Sequence, residues 1–450
     1  MKRLFLLTVV IVVISTIVAG AFIGFKLFEG EPPQITPVKI PSIIGKEAEV
    51  HIKVTDARAG IRLVEATIAQ GKKRIRLGQK VVPIGSIWTG SPLKEMLLSW
   101  HIEPRKAGLA SGKALLIISA CDASFRNGSK GNKSILKIPL NIDYVPPVIT
   151  VLSTIHNVRV GGAGALSFRV SEEVTDAGVR VNNTFFRAFK GTDDIYRVLF
   201  AIPFNIDRPK TFQVEAIDIA GNKGISGFAY RVLPRRKRED KINISDSFLQ
   251  KKMPSFVSRF PEVAAPTLID TFLKVNHVLR KKNNDFLLSL CKKSQAKIAF
   301  SGAFIRFKGA KRSDFADKRH YFYHGKEVDQ AYHMGVDIAS IAHANVPAAN
   351  NGKVIFAGYN GIYGNTVVLD HGMGLLSLYA HLSQIDVKPG QDVKKGQRLG
   401  MTGTTGLAGG DHLHFGMMLG GVFVNPVEWW DGRWIRDHIT YNLYLKGTNL

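Results

Sequence analysis

The stretch GKVIFAGYNGIYGNTVVLDHG (352–372) reads as two short strands, 353–357 and 366–370, each bounded by glycine. Apolar runs this short, closed off by turn residues, fit strands rather than helices. The same Gly-punctuated pattern runs from 298 to about 442. It predicts an antiparallel β domain at the C-terminal end, over 298–442.

Within it, VKPGQDVKKGQ (387–397) reads as two turns flanking a short strand. Lipoyl- and biotinyl-carrier folds share that pattern. A carrier needs its modified lysine at an exposed hairpin tip, and no such signature accompanies it here.

Upstream, 235–297 changes character. Arg235-Arg236-Lys237-Arg238, followed by Glu239 and Asp240, reads as a solvated linker. Thr267 three residues before Asp270 marks a helix start, a variant of the capping box. Leu268, Phe272, Val275 and Leu279 follow at helical spacing. A second short helix is expected to carry Phe286, Leu287, Leu290 and Cys291, with Cys291 in plain core. The other cysteine, Cys121, falls in a strand far away in the chain, so no disulfide is expected.

From 30 to 234 short alternating runs such as AEVHIKV (48–54) put apolar residues on one face of a strand. A weak repeat runs through this part. Pro32-Pro33 is matched by Pro146-Pro147. Thr55-Asp56-Ala57 before Gly60 is matched by Thr175-Asp176-Ala177 before Gly178, and Asp122 by Asp218 with its following Gly221-Asn222. This predicts two tandem β-sandwich modules, 30–143 and 144–234. Their size suits immunoglobulin-like sandwiches of about 100 residues. The similarity to bacterial immunoglobulin-like repeats covers turn residues only, and implies spacers or binding arms.

Residues 4–25 are 22 residues without a charge, preceded by Lys2 and Arg3. A helix of that length spans roughly 33 Å, enough for a hydrocarbon core of about 30 Å. The two basic residues keep the N-terminus cytoplasmic and send the rest across the membrane. Segment 1–29 is therefore expected to be a single-pass anchor in a bacterial inner membrane, the remainder lying in the periplasm or outside the cell. A cleaved signal peptide ending near Ala19-Gly20-Ala21 is the competing reading, although cleavable apolar cores usually run only about 7–15 residues.

Across 450 residues, 61 Lys and Arg stand against 36 Asp and Glu, a net charge of +25. That excess attracts an anionic partner. No recognition helix or aromatic RNA-binding signature accompanies it, so nucleic acid is not expected. Two cysteines exclude a disulfide scaffold and a Cys-rich zinc module. The whole reads as a mostly β, multidomain chain with an N-terminal transmembrane helix and a short helical linker.

Chemistry concentrates near the C-terminus, where nine of the 13 histidines follow residue 319. HMGVD (333–337) presents His-x-x-x-Asp, and DHLHF (411–415) presents His-x-His. Two residues apart on a strand, His412 and His414 point to one face. Imidazoles and a carboxylate suit zinc, and a catalytic zinc takes three protein ligands. The helical His-Glu-x-x-His zinc motif is absent. With His381 in YAHL (379–382), five groups meet a three-ligand rule, so two are left for acid–base work or transition-state stabilisation. Spacing does not say which two.

These pieces resemble the lysostaphin-like zinc endopeptidases of bacterial cell walls. The similarity rests on HMGVD (333–337), YGNTVVLDHGMGLLSLYAHLS (363–383), VKPGQDVKKGQRLG (387–400) and TGTTGLAGGDHLHF (402–415), in the family's order, over the last third of the chain. It implies a Zn2+ cofactor held by His333, Asp337 and His414. His381 and His412 would then handle the attacking water and the tetrahedral intermediate. Asp411 and Gly416 depart from the family's usual residues without touching a ligand, and His371 is read as structural. The resemblance implies an endopeptidase for peptidoglycan stems or cross-links. Two alternatives are a non-catalytic peptidoglycan-binding activator of other hydrolases, and a latent peptidase whose groove is filled by 300–326 or by the helical linker. Protein partners of the sandwich modules are not legible.

Overall fold

The computed structural model describes residues 2–28, 30–84 and 91–445. The chain falls into two compact units, Met1–Pro147 with Ile217–Lys223, and Val148–Ala216 with Gly224–Leu450.

The first unit begins with a helix, Lys2–Leu27. Its stretch Phe5–Phe25 has a mean hydropathy of 2.8 and no burial within the protein, long and apolar enough for a membrane anchor or a signal sequence. A two-sheet sandwich follows. One sheet has three strands, Gln34–Lys39, Ala48–Thr55 and Glu95–Ile102. The other runs Ile43–Ile44, Lys133–Ile142, Gly112–Asp122, Ile61–Gln70, Lys73–Val81 across its width. Strict alternation buries Val50, Ile52 and Val54 from one sheet against Leu116, Ile118 and Ala120 from the other. The repeated aspartates are turn caps. Asp122 Oδ1 accepts from the Asn132 and Ser124 amides, and Asp218 Oδ1 accepts from the Asn222 amide.

In the second unit one apolar core runs from Val158 to Leu443. It includes a second pair of sheets, each four-stranded, with Phe168, Val179, Phe200 and Val214 between them. It also includes the helical segment. That segment differs from the expectation in two ways. A helix spans Asp246–Arg259, capped by Ser245, where a linker was expected. Its buried stripe is Leu249, Lys252, Met253 and Phe256. A lysine on the core face and Pro254 mid-helix disguise the apolar period in the sequence. The helix expected after Thr267 does start there, with the Asp270 amide donating to Thr267 Oγ1. It continues through a π turn at Val275–Leu279 straight into Arg280–Leu290, so the two expected helices are one run. Both cysteines are buried free thiols.

The C-terminal part is built on an eight-stranded sheet. Its main path is Ala310–Ser313, Val336–Ala339, Leu413–Leu419, Leu375–Leu382, Asn365–Asp370, Gly352–Tyr359 and Asp392–Val393. The central strand, Leu375–Leu382, is buried at every position. Layers on both of its faces explain why LLSLYAHL shows no clean alternation. A polar chain threads this core. His371 Nδ1 donates to the Asn351 carbonyl (2.7 Å), its Nε2 meets Ser377 Oγ (2.7 Å), and Ser377 Oγ lies 3.1 Å from Tyr379 Oη. Full satisfaction is what lets these groups sit in a core.

Burial pushes the His371 imidazole down to about 4. Its folded pKa lies below its unfolded one, so the unfolded chain takes up a proton first as pH falls. Stability from this group is therefore intact above about pH 6.5 and lost towards pH 4, by about 3 kcal/mol. Urea unfolding at pH 7, 5.5 and 4 should show that extra loss in the wild type relative to His371→Asn; parallel pH profiles would exclude it.

Candidate metal centre and cleft

Antiparallel register assembles the centre. Asp337 on Val336–Ala339 pairs with His414 on Leu413–Leu419, and His414 pairs on its other side with Ala380. His333 leads into the first of these strands and His381 ends Leu375–Leu382. His381 sits at φ 64°, a left-handed conformation that takes it out of the strand alternation. His412 is bridged to Gly403. Gly335 is required by close approach, because a Cβ there would lie 2.6 Å from both His414 Nε2 and the Phe415 carbonyl.

All five residues singled out in the sequence come together. His333 Nε2 lies 3.0 Å from Asp337 Oδ1 and 3.0 Å from His414 Nδ1, and His414 Nδ1 lies 2.9 Å from the same Oδ1. These three side chains are buried and form a group able to hold a metal ion. His412 Nε2 stands 3.4 Å from Asp337 Oδ1. The His381 ring is 4.9 Å from that of His412 and 5.7 Å from that of His414. His371 lies apart, in the polar chain of the core.

Backbone carbonyls set the tautomers. His333, His381 and His412 each place Nδ1 on a carbonyl, of Asp314 (2.9 Å), Thr405 (2.8 Å) and Gly410 (2.8 Å). In the neutral ring that puts the proton on Nδ1 and a lone pair on Nε2. His414 is turned the other way, with Nδ1 towards the cluster and Nε2 buried without a partner among the described residues.

The electrostatics call for positive charge at this point. Burial works against an ionised Asp337, yet the charge of His333 and hydrogen bonds from His333, His412 and His414 outweigh it and hold the carboxyl well below its usual range. Two of the rings, His414 and His381, resist supplying that charge as protons. Burial pushes His414 down to about 4, and burial with the neighbouring rings pushes His381 well below the usual imidazole range. Burial also acts against a charged His412, but its hydrogen bond to Asp337 outweighs that and raises it. Donor atoms of two imidazoles and one carboxylate, crowded to 3.0 Å, suit a cation.

Residues outside the sequence motifs complete the site. Arg319 Nη2 donates to Asp337 Oδ2 (2.7 Å) and to Ser313 Oγ (2.9 Å). Lys252 Nζ donates to the carbonyls of Thr404 (2.6 Å) and Gly406 (3.0 Å), on either side of the one that orients His381. Asn283 Oδ1 accepts from the Ile362 amide, and Asn284 Oδ1 from Tyr363 Oη. The helical segment thus grips both loops beside the centre. Strand Glu239–Ile244, paired in parallel with Lys318–Tyr323, brings Ile242 to the same place. The result is a cleft of about 590 Å³, with Ile242, Phe248, Phe272 and Arg280 on one wall and the four histidines and Asp337 also lining it. One signal for Lys252 was present in the sequence: it sits inside the stripe Leu249, Met253, Phe256. Arg319 had none, because its partner is 18 residues on.

A buried two-imidazole, one-carboxylate group on an antiparallel sheet, with two further imidazoles at its edge, has the make-up of a catalytic metal centre. Residues 331–426 match peptidase family M23, and the C-terminal part of the chain is a domain of that family. The DD-carboxypeptidase/endopeptidase Mpg of Neisseria meningitidis is 40% identical over 96 residues, 21% of this chain and 22% of that protein. The peptidoglycan DD-endopeptidase ShyA of Vibrio cholerae is 39% identical over 98 residues, 22% of this chain and 23% of that protein. The matched stretch therefore spans about a fifth of the length of these relatives. A crystal structure of an M23 peptidase from Pseudomonas aeruginosa aligns with a TM-score of 0.37 at 20% identity, over 61% of this chain and 94% of the other.

Replacing Arg319 by Met strips Asp337 of its partner. Removing one member of a buried pair costs about 3–5 kcal/mol, and the lower end is expected here because His412 is poised to take a proton. Urea unfolding with a chelator present should show a loss of about 3 kcal/mol; an unchanged midpoint would mean that Arg319 does not compensate this carboxylate.

Proposed function

We propose that the C-terminal domain is a zinc-dependent endopeptidase that hydrolyses peptide bonds in peptidoglycan stems or cross-links outside the cytoplasm. The observation that carries this reading is the convergence of His333 Nε2, Asp337 Oδ1 and His414 Nδ1 within 3.0 Å of one another at the cleft. The donor set fits zinc, two imidazoles and one carboxylate being a usual catalytic trio. Those three atoms would hold the ion. Zinc bound there supplies Lewis acidity towards a peptide carbonyl and towards water at neutral pH.

The chain's own residues do the rest. The Asp314 carbonyl fixes the His333 ring, and Arg319 holds the second oxygen of Asp337, so the ligand atoms are aimed before anything binds. In their neutral forms His412 and His381 present lone pairs on Nε2 at the edge of the same centre. They accept the proton of the attacking water at Nε2 and return it to the leaving amine. Ile242, Phe248 and Phe272 give the cleft an apolar wall that limits access of bulk water. The named activities of the relatives support the substrate class, and the exposed apolar helix Lys2–Leu27 supports an anchored, periplasmic placement. We read the helical segment as a fixed wall rather than a removable plug, because Phe256, Phe272 and Leu287 share the core of the domain.

Two variants separate metal binding from chemistry. His333→Ala should lose both zinc and hydrolysis of purified peptidoglycan. His412→Ala should keep stoichiometric zinc and lose about 10²–10⁴ in rate. Digestion by both variants would overturn the mechanism.

A further inference from the structure

We propose that the N-terminal sandwich carries a second binding site, a basic trough for peptidoglycan strands, whose peptide stems bear free carboxylates. The polymer named rests on the function proposed above, while the trough itself stands on its own geometry.

The trough is the outer face of the five-stranded sheet, with a volume of about 860 Å³. Register defines it. Lys137, Ile117, Thr67 and Arg76 lie side by side across four adjacent strands, and Leu115, Ala69 and Arg74 across the next row. Cations therefore line both edges, Lys133 and Lys137 on one strand and Arg74 and Arg76 on the other, roughly 14 Å apart at about 4.8 Å per strand. Lys113 adds a fifth at one end. Between them the floor is small or apolar, and Ile135 is 54% exposed. Among the described residues the only acid lining it, Glu65, is already bound to Arg76 at 2.7 Å. Arg74, Lys113, Lys133 and Lys137 have no carboxylate partner among the described residues.

Cationic rims over an apolar floor match a chain whose faces are apolar and whose edges are anionic. Sugar rings offer C–H faces to Leu115, Ile117 and Ile135, and the carboxylates of the attached peptide stems reach the rims. A bilayer surface matches less well, since a flat layer of headgroups meets the rims and leaves the recessed floor uncovered. Exposed single charges contribute little individually, but several acting on one polymer add up.

The test is co-sedimentation of the full chain, in non-ionic detergent with a chelator, with purified peptidoglycan sacculi. A variant carrying Arg74→Gln, Lys113→Gln, Lys133→Gln and Lys137→Gln should bind about tenfold more weakly, the effect of losing four exposed ion pairs. A companion carrying Lys113→Arg, Lys133→Arg and Lys137→Arg should bind like the wild type. Sacculi with amidated carboxylates should lose the wild-type protein to a similar degree. Unchanged binding by the glutamine variant overturns the proposal, as does tighter wild-type binding to DNA than to sacculi. Zinc-dependent cleavage of a soluble cross-linked muropeptide reports separately on the function proposed above. Its failure with the sedimentation difference intact would leave the trough standing.

Discussion

One buried carboxylate organises this half of the molecule. Asp337 places one oxygen among the rings of His333, His412 and His414 and the other on Arg319. An ionised group so far from water is tolerated only where positive charge and hydrogen bonds surround it. The antiparallel pairing of Asp337 with His414 meets that demand from one direction. The hairpin of Lys318–Tyr323 and Lys326–Tyr332 meets it from another, by delivering Arg319 and then His333. Shifting the register by one residue would turn His414 to the opposite face of the sheet. The bare backbone at Gly335 is part of the same demand, since it lets the His414 ring close on the cluster.

Aim comes from the loops. Three of the four histidines are oriented by main-chain carbonyls, of Asp314, Thr405 and Gly410. Carbonyls orient a ring only as firmly as their own segment is held. For Thr405 the hold comes from Lys252, a buried ammonium that binds the carbonyls on either side. Its burial pushes it down to about 8, which reflects the desolvation that the two bonds offset. The residues matching peptidase family M23 stop well short of Lys252. The domain's site is therefore completed by chain that the family match does not cover, and the shared core of the second unit holds that chain in place.

Charge is divided between two surfaces of different kind. In the cleft it is buried, paired and directional, at Arg319 and Asp337. On the outer face of the first sandwich it is exposed, largely unpaired and spread over adjacent strands. The first arrangement can position a reacting group, and the second can only hold a polymer.

Much of this was readable from local pattern. Period-two alternation in 48–54 located a strand with its inward face, and an uncharged run of 22 residues located the N-terminal helix. Thr267 and Asp270 located a helix start, and glycine-bounded runs located the strands Gly352–Tyr359 and Asn365–Asp370. His-x-x-x-Asp and His-x-His picked out four of the five groups that converge. Such signals survive because each depends on neighbours within a turn or a strand. Those that failed depend on distant partners. The helix Asp246–Arg259 was hidden because its stripe includes Lys252, whose place in the core makes sense only beside two carbonyls some 150 residues away. The orientations of His333, His381 and His412 follow from which carbonyl each ring meets, and Arg319 matters only because the packing of one sheet on another brings it to Asp337. The sequence by itself determined the elements and the chemical types at the centre. Tertiary packing alone decided tautomers, charge compensation and the cleft wall, since these are set by contacts that no local pattern encodes.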